Sequence, residues 1–169
     1  MAPARRWTDY AAFVAFFPQL VSGPIDRAVA LLPQIENPRR ITRDVVRAGI
    51  WLFFWGLFKK VVVADNLAEI VAPAFVSDWD ALSTAYAWTA IYAFALQLYC
   101  DFSGYTDIAR GVASLLGFRT AINFRNPFFA SNPIEFWQRW HISLSKWIQD
   151  YIYFPMAAHA LRKSSSAWN

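Results

Sequence analysis

Charge vanishes from one stretch of the chain. Between Asp80 and Asp101, Ala81 to Cys100 is uncharged for 20 residues, the length a helix needs to cross about 30 Å of hydrocarbon. A buried helix of a soluble core is the alternative reading. A second apolar run, Ala48 to Phe58, continues through Lys59-Lys60 into Val61–Ala64. A lysine at mid-membrane costs about 2.5–3.5 kcal/mol, so the two ammonium groups are expected to reach an interface or to line a polar cavity. The two runs, Ala48–Ala64 and Ala81–Cys100, read as a hairpin. Tyr10 to Ile25 is also uncharged, but it contains Pro18 and Gly23-Pro24. Its second half is expected to unwind, which at membrane depth requires cover from protein or a watery cavity.

Beyond Cys100 the pattern changes. Thr106 or Asp107 is placed to cap a helix from Ile108 to Leu116, which Gly117 ends. Asn132-Pro133-Ile134-Glu135 carries the residues that a helix start prefers. Phe136, Trp140, Leu144, Trp147 and Tyr151 follow at spacings of 4, 4, 3 and 4, an amphipathic helix that Pro155 is expected to end. Rich in Trp on one side and basic on the other, it suits a membrane interface. The fold class is therefore all-α: a polytopic membrane bundle with re-entrant and interfacial helices.

Composition supports this class. Of 169 residues, 57% are hydrophobic, 18% aromatic and only 17% charged, which excludes disorder. One cysteine, Cys100, excludes an internal disulfide and a multi-thiolate metal site. The formal charge of +4 comes with Arg27, Arg39, Arg40, Arg43 and Arg47 crowded into one loop, as the positive-inside rule expects of a cytoplasmic loop. Arg110, Arg119 and Arg125 fall on the same side. Asp65, Glu69, Asp78 and Asp80 mark the outer one. No nucleic-acid-binding module is present, and Met1 opens no secretory signal.

His141 sits at the rim of the expected C-terminal stripe, with Gln138 and Ser145 on its side. Either neighbour could fix its tautomer and leave the other ring nitrogen for proton transfer; a satisfied interfacial histidine is the plainer alternative. His159 lies in a small-residue, basic tail and carries less. Asp101 and Asp107 could serve catalysis or simply cap. Walker, Rossmann, zinc and EF-hand patterns are absent.

Four pieces in order, FFPQLVSGPIDR, GLFKKVVVADNLA, LYCDFSGYTDIARGVASLLGF and NFRNPFFASNPIEFWQRWHISLSKWIQDYIYFP, resemble the membrane-bound O-acyltransferases of the alginate O-acetyltransferase type. The resemblance implies a multi-pass enzyme of the cell (inner) membrane that moves an acyl group, acetyl by preference, onto hydroxyls of an exported polysaccharide. The donor implied is a thioester such as acetyl-CoA, with no bound cofactor and no metal. The implied partners are the lipid bilayer, the donor, and a polysaccharide or periplasmic acyl-acceptor protein. Residues 1–169 read as a single partial domain, short at both ends, because family members are far longer. Their principal histidine falls beyond Asn169. His141 is then a supporting catalytic residue, and Arg139, Asp101, Asp107, Gly23 and Pro24 shape the substrate region. Where many relatives have Gly-Gly-Asn-Arg, this chain has Ala157 to Arg162. The chain alone is expected to be inactive. The competing class is a non-enzymatic polytopic fragment, or a transport or binding module.

Overall fold

In a computed structural model, residues 4, 6–76 and 82–166 are described, and among them every regular element is helical. Asp78, Asp80 and Ala81, which entered the expectations above, lie outside the described residues. The elements are α1 (Trp7–Val14), a 3₁₀ turn (Phe17–Gln19), α2 (Ala28–Glu36) and α3 (Arg43–Leu57). A π-helical segment (Phe58–Ala64) then leads into α4 (Asp65–Val76), and α5 (Thr84–Leu115) follows. After a second 3₁₀ turn (Pro127–Phe129) come α6 (Pro133–Arg139), α7 (Ile142–Ile148), a π turn (Gln149–Tyr153) and α8 (Phe154–Ser166). The chain divides into two compact units, Met1–Gly23 with Arg27–Thr120, and Pro24–Asp26 with Ala121–Asn169.

In the first unit, α3, the π segment and α4 form one helical run packed along α5. Glycine sets how close they come. A Cβ on Gly56 would lie 2.5 Å from the Gly104 carbonyl oxygen, and one on Gly111 would lie 2.7 Å from that of Gly49. The pairs Gly49/Gly111 and Gly56/Gly104 run in opposite senses along the two helices, so the helices are antiparallel. Each helix repeats its glycine after seven residues, two turns on. Buried positions along the run are Gly49, Gly56, Lys59, Ala64, Val71 and Ala74, and one line of small or apolar residues among them is Gly49, Gly56, Ala64 and Val71. The spacings are seven, eight and seven. A π segment carries one extra residue in a turn, and here it absorbs the odd step, so Ala64 and Val71 stay on the buried side.

Two expectations are corrected here. The separate helix from Ile108, capped by Thr106 or Asp107, does not exist: α5 runs unbroken from Thr84 to Leu115. Nothing in Asp101–Asp107 breaks it. Thr106 Oγ1 bonds back to the Phe102 and Ser103 carbonyls, at 3.2 and 3.0 Å, and Gly104 is used for packing. The expected end at Gly117 is present. Gly117 adopts φ 82°, and Phe118 N–H donates to Ala113 O at 2.8 Å, which closes the helix. The pairing also differs from the expected hairpin. Residues 49–56 meet 104–111, beyond Cys100, and the first half of α5 meets α4, where Tyr86 Oη donates to Ile70 O at 3.0 Å. Among the described residues no helix is long and apolar enough to cross a membrane. Tyr86, Trp88, Thr89, Tyr92, Gln97 and Tyr99 dilute the uncharged stretch.

A small core holds the N-terminal elements of this unit together. Phe16 meets Phe118 edge-on at 4.8 Å, beside fully buried Leu31 and Ala113. Between α1 and α2 the chain unwinds as expected. Gly23 presses against this turn, where a Cβ would sit 2.0 Å from the Pro18 carbonyl oxygen.

In the second unit the expected helix from Asn132 to Pro155 is broken. Asn132 does cap α6, with its Oδ1 accepting from Glu135 N at 2.9 Å. Then Trp140 is extended (φ −102°, ψ 128°) and His141 left-handed (φ 41°, ψ 53°). Pro155 does not end the run either, because α8 starts at Phe154 and passes through it. The π turn just before supplies the altered carbonyl spacing that a proline needs inside a helix.

Gly56→Ala should lower the thermal midpoint of the detergent-purified chain. Overpacking against backbone costs about 1–3 kcal/mol, more than the ~1 kcal/mol that alanine returns in helix propensity. Gly49→Ala meets Gly111 O at 3.0 Å and the Leu115 side chain at 3.2 Å, so its shift should be smaller.

Candidate functional site

His141 is held from both sides. Arg125 N–H donates to Arg139 O at 3.0 Å, and Ile142 N–H donates to Asn123 O at 2.9 Å. The segment Asn123–Arg125 thus pairs with the backbone before and after the kink. Asn123 is 1% exposed, and its Oδ1 also accepts from Ser143 N at 3.2 Å. Ser143 Oγ in turn accepts from Ile25 N at 3.0 Å, and Asp26 Oδ1 accepts from Ala121 N at 2.8 Å, which secures Pro24–Asp26 to the same unit. A left-handed conformation costs a non-glycine residue about 1–2 kcal/mol. It persists where the surroundings over-determine it, and such strain clusters at functional sites.

The imidazole stacks near Phe124, with centroids 6.4 Å apart and planes at 29°. Phe124 also meets Trp140 edge-on at 4.9 Å. Burial pushes the His141 pKa below its ordinary value, so the ring is neutral near pH 7 and keeps one N–H donor and one acceptor nitrogen. Gln138 is not on its helix, because the kink separates α6 from α7. Ser145 keeps a helical relation to it through the backbone, with its N–H on His141 O at 3.1 Å.

Arg139 is partly exposed and paired within its own helix. Its guanidinium binds Glu135 Oε1, while Glu135 Oε2 accepts from Ser131 N at 2.7 Å. The Ser131 N–H first, and Arg139 second, hold the Glu135 carboxyl below its usual range. Next to these residues lies a cleft of about 560 Å³, lined by Arg125, Trp137, Gln138, Ser145, Lys146 and Gln149, with Ile134 and Ile142 as its apolar wall.

In the first unit, Lys59 is buried and donates to Ser103 Oγ at 2.9 Å and Asp107 Oδ2 at 2.7 Å. Arg110 reaches the other oxygen of Asp107 at 3.2 Å. Lys60, half-exposed, bonds Asp65 at 2.9 Å and Asp101 at 2.6 Å. Lys59 therefore neither snorkels nor lines an open cavity; it is neutralised between helices. Among the described residues, no cluster of three or more His, Cys, Asp or Glu side chains could hold a metal.

Residues 7–167 match the description MBOAT, membrane-bound O-acyltransferase family. The chain belongs to this family. It is 40% identical over 157 residues to a peptidoglycan O-acetyltransferase of Helicobacter pylori, covering 92% of this chain and 30% of that protein. It is 44% identical over 156 residues to a protein of Azotobacter vinelandii named Probable alginate O-acetylase AlgI, again 92% and 30%. A teichoic acid D-alanyltransferase of Bacillus subtilis is 34% identical over 146 residues, 83% of this chain and 36% of that protein. The chain spans about a third of the length of these curated relatives.

Within this chain the expected site residues divide. His141, Arg139 and Pro24 belong to the second unit; Asp101, Asp107 and Gly23 belong to the first. Asn123, Phe124 and Ser143 were missed, although NFR and WHIS lie in one matching piece. Their part is to fix a backbone, and no side-chain pattern announces that.

Two outcomes test these assignments. Asp107→Asn alone should destabilise by about 3–5 kcal/mol, because it strands the buried Lys59 ammonium; Lys59→Met should cost less, because Arg110 still pairs with Asp107. The pair Lys59→Met with Asp107→Leu should recover much of this loss, read by thermal unfolding. The second outcome concerns pH. The lowered Glu135 pKa contributes stability that is present above the ordinary carboxylate range and lost as pH falls through the folded value. Glu135→Gln should therefore melt below wild type at pH 7, and the two midpoints should converge in acid.

Proposed function

We propose that this chain is part of a multi-pass inner-membrane enzyme that transfers an acyl group, acetyl by preference, from a thioester such as acetyl-CoA to hydroxyls of an exported polysaccharide such as alginate. The observation that carries the proposal is the family match over nearly the whole chain, joined to a neutral histidine held in a strained backbone. The names of the relatives, two O-acetyl-transferring and one D-alanyl-transferring, support the ester-forming class. A periplasmic acyl-acceptor protein is the other acceptor compatible with it.

The membrane setting is supported by what α3 and α5 leave uncovered. Trp51, Phe54, Trp88 and Tyr92 are 68%, 61%, 57% and 70% exposed, and large exposed apolar surfaces mark membrane or protein contacts. The buried Lys59–Asp107 pair between the π segment and α5 suits the same setting, since charge away from water requires a partner.

In the reaction, the acceptor hydroxyl loses its proton to a histidine as its oxygen attacks the thioester carbonyl carbon. The C–S bond then breaks, and the departing thiolate takes the proton. The resemblance assigns the proton-accepting role to the family's principal histidine beyond Asn169. His141 supports it, its neutral N–H donating to the acyl carbonyl oxygen as negative charge develops there. Asn123, Phe124 and Ser143 keep the ring in place. Arg139 and Glu135 form the wall of α6, and Gly23 and Pro24 set the unwound segment. Asp101 and Asp107 serve the fold, as counter-ions of the two lysines.

His141→Asn is the sharpest test. Asparagine tolerates the left-handed backbone, but its shorter side chain carries no N–H donor to the position of the outer ring nitrogen. In the whole protein, polysaccharide O-acetylation per folded molecule should fall by something like 10²–10³-fold, the range for loss of one positioned oxyanion donor, with thermal stability close to wild type. Unchanged turnover in this variant would remove His141 from the chemistry. His141→Gln should add a loss of stability, because glutamine lacks asparagine's tolerance of that backbone.

A further inference from the structure

The cleft beside the His141 kink lies wholly in the second unit, and its chemistry is one-sided. It has two cations, Arg125 and Lys146, two side-chain amides, Gln138 and Gln149, and a hydroxyl, Ser145, with no acidic residue in its lining. Its apolar share is an indole and two branched aliphatic chains, and Trp137 is 61% exposed. Arg125 has an anchored backbone, its N–H on Arg139 O at 3.0 Å. The neighbouring Arg139 guanidinium pairs with Glu135 and does not line the cleft. Arg125 thus offers a planar fork of donors from a fixed base, the geometry suited to a carboxylate or phosphate. An exposed indole beside it offers a face for a ring to stack on.

We infer that this cleft binds an oxyanion carried on a flat, partly apolar body. It is an anchoring site for the charged part of a substrate of the acyl transfer, and to that extent the inference rests on the function proposed above. Arg125 holds the anion in a bidentate grip. Lys146 adds a second charge from α7, the amides and Ser145 take neighbouring hydroxyls or carbonyls, and Trp137 covers the ring. Ile142 and Ser145 belong both to the cleft and to the backbone network around His141. A ligand anchored in the cleft therefore extends toward the kink. The anion has two chemical sources: the carboxylate of an acidic sugar in the acceptor, or the phosphates of a nucleotide thioester donor.

Binding to the full chain, purified in detergent, separates the sources without any turnover. The probes are a uronic-acid hexamer, a neutral hexasaccharide, coenzyme A, and pantetheine, which lacks phosphate. One of the two anionic probes should bind more tightly than its uncharged counterpart, and added salt should weaken it. The preferred probe names the source. Charge-assisted hydrogen bonds are the strong ones, so Arg125→Gln and Lys146→Gln should each weaken that probe by about tenfold or more. Arg125→Lys should restore part of the loss, and circular dichroism should show unchanged helicity. Equal binding of charged and uncharged probes, or affinity indifferent to both substitutions in folded protein, would overturn the inference. Such a result beside intact acyl transfer by the whole protein removes the anchoring site and leaves the enzyme; selective binding without transfer does the reverse.

Discussion

The distance between α3 and α5 is the constraint on which the first unit depends. Four glycines bring two antiparallel backbones together at two levels, with no room for a methyl group at Gly56. At that separation the side chains around the glycines have few choices. Lys59 follows Gly56 by one turn and finds Ser103 and Asp107 on the opposing helix. Helices held further apart by larger residues would leave that ammonium group in apolar surroundings with its partners out of reach. Close packing by small residues and polar bonds across the interface is also how helices associate where water is scarce. The glycines and the lysine are thus parts of one solution.

The second unit solves a different problem. It holds a histidine at a break between two helices. A continuous α6–α7 would satisfy its own backbone; the kink instead hands those hydrogen bonds to Asn123 and Arg125. The ring position is then set by the main chain rather than by side-chain packing alone, and Phe124 is delivered to its side by the same pairing.

The sequence disclosed the helical class, the cap at Asn132, the stop at Gly117 and the unwinding after Phe17, because each has a local chemical cause. It misplaced what is decided at a distance. Asp101 looks like the end of a span until Lys60, forty-one positions earlier, is seen to neutralise it. The stripe from Phe136 to Tyr151 has helical spacing, yet two residues inside it leave the helix because Asn123 and Arg125 compete for their neighbours' hydrogen bonds. His141 was legible as a candidate through its motif. The arrangement that holds it was not, since it depends on backbone groups that carry no residue-type signal.

The π segment at Phe58–Ala64 acts as an indexing device. Because it holds one surplus residue, the helix after it is turned by about 100° relative to an uninterrupted α-helix. That rotation is what returns Ala64 and Val71 to the buried side after the seven-residue rhythm of Gly49 and Gly56. It also falls where two adjacent lysines must address two different carboxylates, Asp107 and Asp101. Insertions and deletions here are therefore angular events rather than changes of length. Losing one residue would leave a sound helix of nearly the same span, but with its downstream face pointed elsewhere and its charges out of phase with α5.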